Sequence, residues 1–162
     1  MKKSIKMILI LLATTFLALA SYAADYPQNP ETSITTGKLC EKSQVTRYPE
    51  KIPYCERDVS WQTKEILMKE YDQKFNYHIM KLPRSDIKID HFIPLCAGGS
   101  NDISNLWPQH KTVFAISDPL EPVICEKMAV GRLKQKEAIS LIIEAKMNLD
   151  RTSKILQYVN GL

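Results

Sequence analysis

All four cysteines of the chain, Cys40, Cys55, Cys96 and Cys125, lie downstream of an apolar leader. No other feature restricts the available folds as much. The leader runs from Met7 to Ala20, MILILLATTFLALA, with Lys2, Lys3 and Lys6 before it and Ser21-Tyr22-Ala23 after it. A basic start, a short apolar run and small residues at a cleavage point are the parts of a secretory signal peptide. The run is shorter than the roughly 20 apolar residues a helix needs to cross a bilayer core, which disfavours an anchor. Residues 1–23 are therefore expected to be removed on export, leaving a periplasmic or secreted protein with no stable membrane association.

In an oxidising compartment an even number of cysteines reads as disulfides. The local pairing of Cys40 with Cys55 would close a short loop containing Pro49 and Pro53, contributing on the order of 3 kcal/mol. Cys96 and Cys125 would then form the second bridge. A zinc site is disfavoured, because no Cys-x-x-Cys pair offers two ligands from one turn. With 44% hydrophobic residues, 25% charged residues and only 5 Gly and 9 Pro, the chain is neither collagen-like nor wholly disordered. The formal charge of +4 falls to +1 once the three leader lysines are gone, so net charge argues for no polyanionic partner. Such a partner has to be argued from local residues.

One domain over residues 38–162 is expected, after a polar lead-in at 24–37 that has no periodicity and reads as mobile. Ser60 can cap a helix carrying Trp61, Leu67, Met68, Tyr71 and Phe75 at helical spacing. Ile87 to Leu95 alternates as a strand that Pro94 should end, and Ala97-Gly98-Gly99-Ser100-Asn101-Asp102 is the strongest turn signal. Asn105-Leu106-Trp107-Pro108-Gln109 is extended, so the two runs can pair around the loop. Helices are expected at 120–129, 133–149 and 151–159, with Ala138, Leu141, Ile142, Ala145 and Leu149 on the dry side of the second, and Lys136, Glu137, Glu144 and Lys146 on its wet side. The fold class is α+β.

The middle third carries polar residues that a structural hairpin does not need. Asp90 and His91 stand together in an apolar strand, followed by the Gly-Gly loop, Asn105 and His110. Consecutive strand residues face opposite ways, so both can serve one site only where the strand ends or bends. A hard carboxylate and an imidazole can hold one divalent ion against a phosphate oxygen while a second imidazole takes a proton from water. In that arrangement Asp90 and His110 are the metal ligands, His91 is the base, and Asn105, able to donate and accept at once, pins the loop. A bland reading exists for each. Asp90 and His91 could be a hydrogen-bonded surface pair, Asn105 a turn residue, His110 a helix-start residue and Trp107 a core side chain. His78 reads as packed or surface, and Arg57, Lys64 and Arg84 as solvated cations, with Arg57 retained as a weak substrate-binding candidate.

The stretch Ile89-Asp90-His91-Phe92-Ile93-Pro94-Leu95, followed by Gly98-Gly99-Ser100-Asn101-Asp102 and Asn105-Leu106-Trp107-Pro108-Gln109, resembles the HNH endonuclease family, in an exported branch. The motif spans residues 89–110. Cys55-Glu56-Arg57-Asp58-Val59, Lys64 and Tyr71 before it, and Leu120-Glu121, Cys125 and the 133–138 helix start after it, are also similar to that branch. The resemblance implies a ββα-metal fold, a hairpin plus helix with flanking helices, here stapled by disulfides. It implies Asp90 as metal ligand, His91 as general base and Asn105 as the loop-orienting Asn. The usual further metal-binding position falls at Val113 or Phe114, so His110 would have to substitute. The expected function is metal-dependent endonuclease action on DNA, or on RNA, by a monomer of low sequence specificity. One divalent ion is expected, Mg²⁺ before Mn²⁺ or Zn²⁺. The rival expectation is a catalytically silent, disulfide-stapled binding module of the same fold; a second rival is a secreted toxin with an immunity partner.

Overall fold

The computed structural model describes residues 24–162; the leader expected at 1–23 lies outside the described residues. The chain mixes helix and sheet. Two short strands, β1 (Thr46–Arg47) and β2 (Ile52–Pro53), form a small antiparallel hairpin. Helix α1 (Trp61–Phe75) follows, then the antiparallel pair β3 (Ile87–His91) and β4 (Leu106–His110), and helices α2 (Lys111–Ser117), α3 (Leu120–Ala129), α4 (Gln135–Met147) and α5 (Thr152–Asn160). Among the described residues no helix is long and apolar enough to cross a membrane.

Local chemistry explains the boundaries. The Ser60 hydroxyl accepts from the Thr63 backbone N–H at the start of α1, and Asn76 closes that helix in the left-handed region at φ 58°. Leu67, Met68 and Tyr71 are buried on its inner face, whereas Trp61 is 54% exposed. Trp61 belongs to the first turn, and the Arg84 guanidinium stands over its ring at 5.2 Å.

The apolar side chains collect in two clusters. The first joins Ile52 and Ile93 to α3, α4 and α5 through Ile124, Met128, Ile142, Ile155 and Val159. The second packs Leu67, Met68 and Tyr71 of α1 against Ile87, Ile89, Leu106 and Trp107 of the larger hairpin and Val113 of α2. Trp107 is fully buried and is a core residue. Both disulfides form in the local pattern: Cys40 with Cys55, and Cys96 with Cys125, their Cα atoms 5.8 Å apart in each bridge. The second bridge ties the loop after β3 to α3, beside Ala97 and Ile124 of the first cluster.

The lead-in at 24–37 is not a free tail. Thr35 is fully buried, its hydroxyl donating to the Leu106 carbonyl at 2.9 Å and sharing a 2.7 Å hydrogen bond with the Tyr71 hydroxyl. Further along, the Gly37 N–H donates to the Ser104 carbonyl, and Cys40 and Ser100 continue the pairing across the loop with Gly98 and Lys38. The segment docks through isolated polar anchors, which a search for apolar periodicity does not register.

Asp102 closes that loop. Its carboxylate is held down to about 2, first by the hydrogen bond from Lys38 at 2.8 Å and then by the Ser104 hydroxyl and backbone N–H. A lowered folded pKa adds stability that is complete above the ordinary value of 3.8 and is lost as the pH falls through about 2. In Lys38→Ala the Asp102 titration midpoint, followed by carboxyl NMR, should rise toward the ordinary range. A midpoint unmoved by the substitution would assign the shift to Ser104 alone.

Candidate functional site

Strand β3 ends at His91 because the next two residues bond to Asn105 instead of continuing the ladder. The Phe92 N–H donates to the Asn105 carbonyl at 2.7 Å, and the Ile93 N–H donates to Asn105 Oδ1 at 2.9 Å. Asn105 Nδ2 in turn donates to the carbonyls of Ile93 at 3.0 Å and Ser100 at 2.9 Å. With no exposure at all, this one amide fixes the start and the far side of the 92–105 loop together. Gly99 is required at the same crossing, since a Cβ there would overlap the Ile93 carbonyl oxygen and lie 2.8 Å from Asn105 Nδ2.

The strand end resolves the alternation problem. Asp90 and His91 both line one cleft of about 370 Å³, together with Arg47, Arg57, Glu121 and the Cys96–Cys125 bridge. His91 Nε2 lies 3.0 Å from Asn101 Oδ1, and the Asn101 amide nitrogen donates to the Glu56 carbonyl at 2.6 Å. Because Oδ1 can only accept, Nε2 carries the proton and the lone pair resides on Nδ1. Burial pushes the imidazole below its ordinary value, opposed by the Asn101 hydrogen bond and reinforced by the charge of Arg57. Arg57 donates through Nη2 to the Ile89 carbonyl at 2.9 Å, which leaves its other N–H groups available. Arg47 lies over the Tyr54 ring at 3.3 Å from the centroid.

Behind the carboxylates stands a lysine. Lys146 Nζ donates to Asp90 Oδ2 at 2.7 Å, to the His91 carbonyl at 2.6 Å and to Glu121 Oε1 at 2.6 Å, with its side chain only 2% exposed. Lys88 adds a 3.3 Å ion pair to Asp90 Oδ1 and a 2.6 Å pair to Asp118. For Asp90, burial pushes the pKa up but the two lysines outweigh it, so the group is lowered. Lys146 is raised: burial acts against its charge, and Asp90 and Glu121 overcome that penalty. Glu121 is raised by its burial, with Asp90 adding to the rise and Lys146 opposing it.

Of the residues singled out in the sequence, the structure brings together Asp90, His91, Arg57 and the Cys96–Cys125 bridge, with Asn105 supporting them. It does not bring His110. Asp90 pairs with Trp107 across the hairpin whereas His110 pairs with Ile87, three positions away, or roughly 10 Å along a strand. There His110 caps α2, stacks on Tyr26 at 3.8 Å between ring centroids and meets the Thr112 hydroxyl at 2.9 Å. His78 sits elsewhere, paired with Asp25 at 3.0 Å.

The divalent ion implied by the family resemblance does not fit this donor set as it stands. Its two expected ligands are separated by the hairpin register, and Asp90 is engaged by two ammonium groups. Among the described residues no group of three or more His, Cys, Asp or Glu side chains is arranged to hold a metal ion.

Glu121, Lys146, Lys88 and Asn101 were not identified from sequence as site residues. Lys146 was assigned to the wet side of its helix, and the structure buries it. A signal was present: 138, 142 and 146 are each four residues apart, so Lys146 continues the buried ridge of Ala138 and Ile142. Comparison with protein-family models, with curated proteins and with solved structures returned no match.

Proposed function

We propose that the protein is an exported nuclease of the HNH type, hydrolysing phosphodiester bonds of DNA, and of RNA where it is available, with His91 as general base. The observation that carries this reading is an imidazole held at Nε2 by Asn101 Oδ1, 3.0 Å away, lining a cleft that also holds Arg57 and Arg47. Supporting it, the chain from Ile87 to Ser117 runs strand, loop, strand, helix, with Asn105 clamping the loop. Two disulfides suit an oxidising compartment.

In this reading a water gives its proton to His91 Nδ1 as its oxygen attacks phosphorus, and the bond to the sugar oxygen opposite breaks. That oxygen leaves with a proton from solvent. Arginine N–H groups offset the charge gathering on the non-bridging oxygens, where a planar, permanently charged donor is most effective. Binding through phosphate makes affinity fall with salt, and among the described residues no base-reading element is identified, so sequence preference is expected to be weak.

The test is cleavage of plasmid DNA and of RNA by the protein folded with both disulfides, in Mg²⁺ and in EDTA. His91→Ala should reduce the rate about 100- to 10,000-fold while leaving the near-UV spectrum intact, the span expected for loss of a general base. Undiminished cutting by the variant would remove His91 from the chemistry. No cutting by the folded parent under any condition would favour the silent binding module.

A further inference from the structure

The Lys146 ammonium has three protons, and each finds an oxygen: Asp90 Oδ2, the His91 carbonyl and Glu121 Oε1, all within 2.6–2.7 Å. No donor is spare. Three convergent oxygens, two of them from carboxylates, form the kind of environment a hard divalent ion seeks. Here the positive charge is supplied by the chain itself, from a side chain 2% exposed on α4. A divalent ion entering the same cage would have to displace that ammonium, and Lys88 beside Asp90 Oδ1 adds further repulsion. The bond to the His91 carbonyl matters as much, because it fixes the backbone of the proposed base to the same cation.

We propose that Lys146 is the resident cation of this cleft: its ammonium stands where Asp90, Glu121 and the His91 carbonyl converge, so that the site is assembled, and cleaves, without a divalent metal ion. The cleavage half of the statement rests on the nuclease reading above; the structural half does not. Lys146 lies behind the carboxylates and is a positioning residue.

The test compares melting temperatures in EDTA, Mg²⁺ and Mn²⁺ for the parent, Lys146→Ala and Lys146→Met, alongside plasmid cleavage by the parent. The parent should melt at the same temperature in all three and cut DNA in EDTA as fast as in Mg²⁺. Lys146→Ala empties the cage, so its lowered melting temperature should climb with added Mn²⁺ by mass action. Lys146→Met keeps the space filled and should show no such recovery. A merely structural lysine would not create a metal response on truncation.

A parent stabilised by Mg²⁺ or Mn²⁺, cutting restored by metal after loss in EDTA, or a folded Lys146→Ala indifferent to Mn²⁺ would each overturn the proposal. If Lys146→Ala fails to fold, the parent's melts and EDTA cleavage decide alone. If the parent cuts nothing under any condition, the nuclease reading fails while the melts still decide whether Lys146 is the resident cation.

Discussion

Replacing Lys146 with methionine should lower the folding stability by about 3–5 kcal/mol, the range for removing one partner from a buried ion pair. Methionine nearly matches the lysine in length and apolar volume, so the loss is not that of a cavity. It comes from Asp90, 6% exposed, which loses its 2.7 Å bond and has only the 3.3 Å contact to Lys88 to set against the cost of burying its carboxylate. The His91 carbonyl loses its donor as well. Urea denaturation of parent and variant at neutral pH measures the difference directly. A companion variant sharpens the assignment. Lys146→Met combined with Asp90→Asn removes the unpaired charge, and should recover part of the loss, because a buried pair replaced on both sides is far less costly than one broken on a single side. A double variant no more stable than Lys146→Met would place the cost in packing or in Glu121 instead.

Asn105→Ala is expected to cost about 3 kcal/mol or more, and to open the 92–105 loop to proteolysis before global unfolding. Three hydrogen bonds disappear together, to the Ile93 N–H, the Ile93 carbonyl and the Ser100 carbonyl, in a position with no exposure to water. Each buried group left without a partner costs about 1–3 kcal/mol, and the three are not independent. Asn105→Asp is the informative control. It keeps the shape and the acceptor but loses both amide donors and introduces a buried charge, so it should be no more stable than the alanine variant. Gly99→Ala should fail for a steric reason at the same crossing, since its Cβ cannot coexist with the Ile93 carbonyl oxygen. A loss below about 1 kcal/mol for Asn105→Ala would mean that backbone bonds alone hold the loop.

Much of the fold was legible because its signals are local. The Ser60 cap and the helix at Leu120–Ala129 appear as expected, since a cap and an amphipathic period are properties of neighbouring residues, and the disulfides pair as expected because the local bridge of Cys40 with Cys55 leaves Cys96 for Cys125. The docking of 24–37 was not legible: it depends on Thr35 meeting Tyr71 and Leu106, partners 36 and 71 residues away. His110 illustrates the limit from the other side. Its chemistry suited a ligand, but pairing register decides its place, and register puts it at the opposite end of the hairpin from Asp90.

By itself the sequence determined the Asp90-His91 pair, the glycine loop and the asparagine that closes it, because turn chemistry and hydrogen-bonding capacity belong to the residues themselves. Only the tertiary structure decided what surrounds Asp90. Glu121 on α3 and Lys146 on α4 are 31 and 56 positions from it in sequence. They reach it because α3 and α4 share one apolar cluster through Leu120, Ala138 and Ile142, while Ile143 and Met147 of α4 pack against the other, which holds Ile87 and Ile89 of the larger hairpin. Burial then turns that meeting into chemistry: away from water, a carboxylate must find a cation, and the nearest one belongs to a helix that shows its identity as a site element only once it is packed.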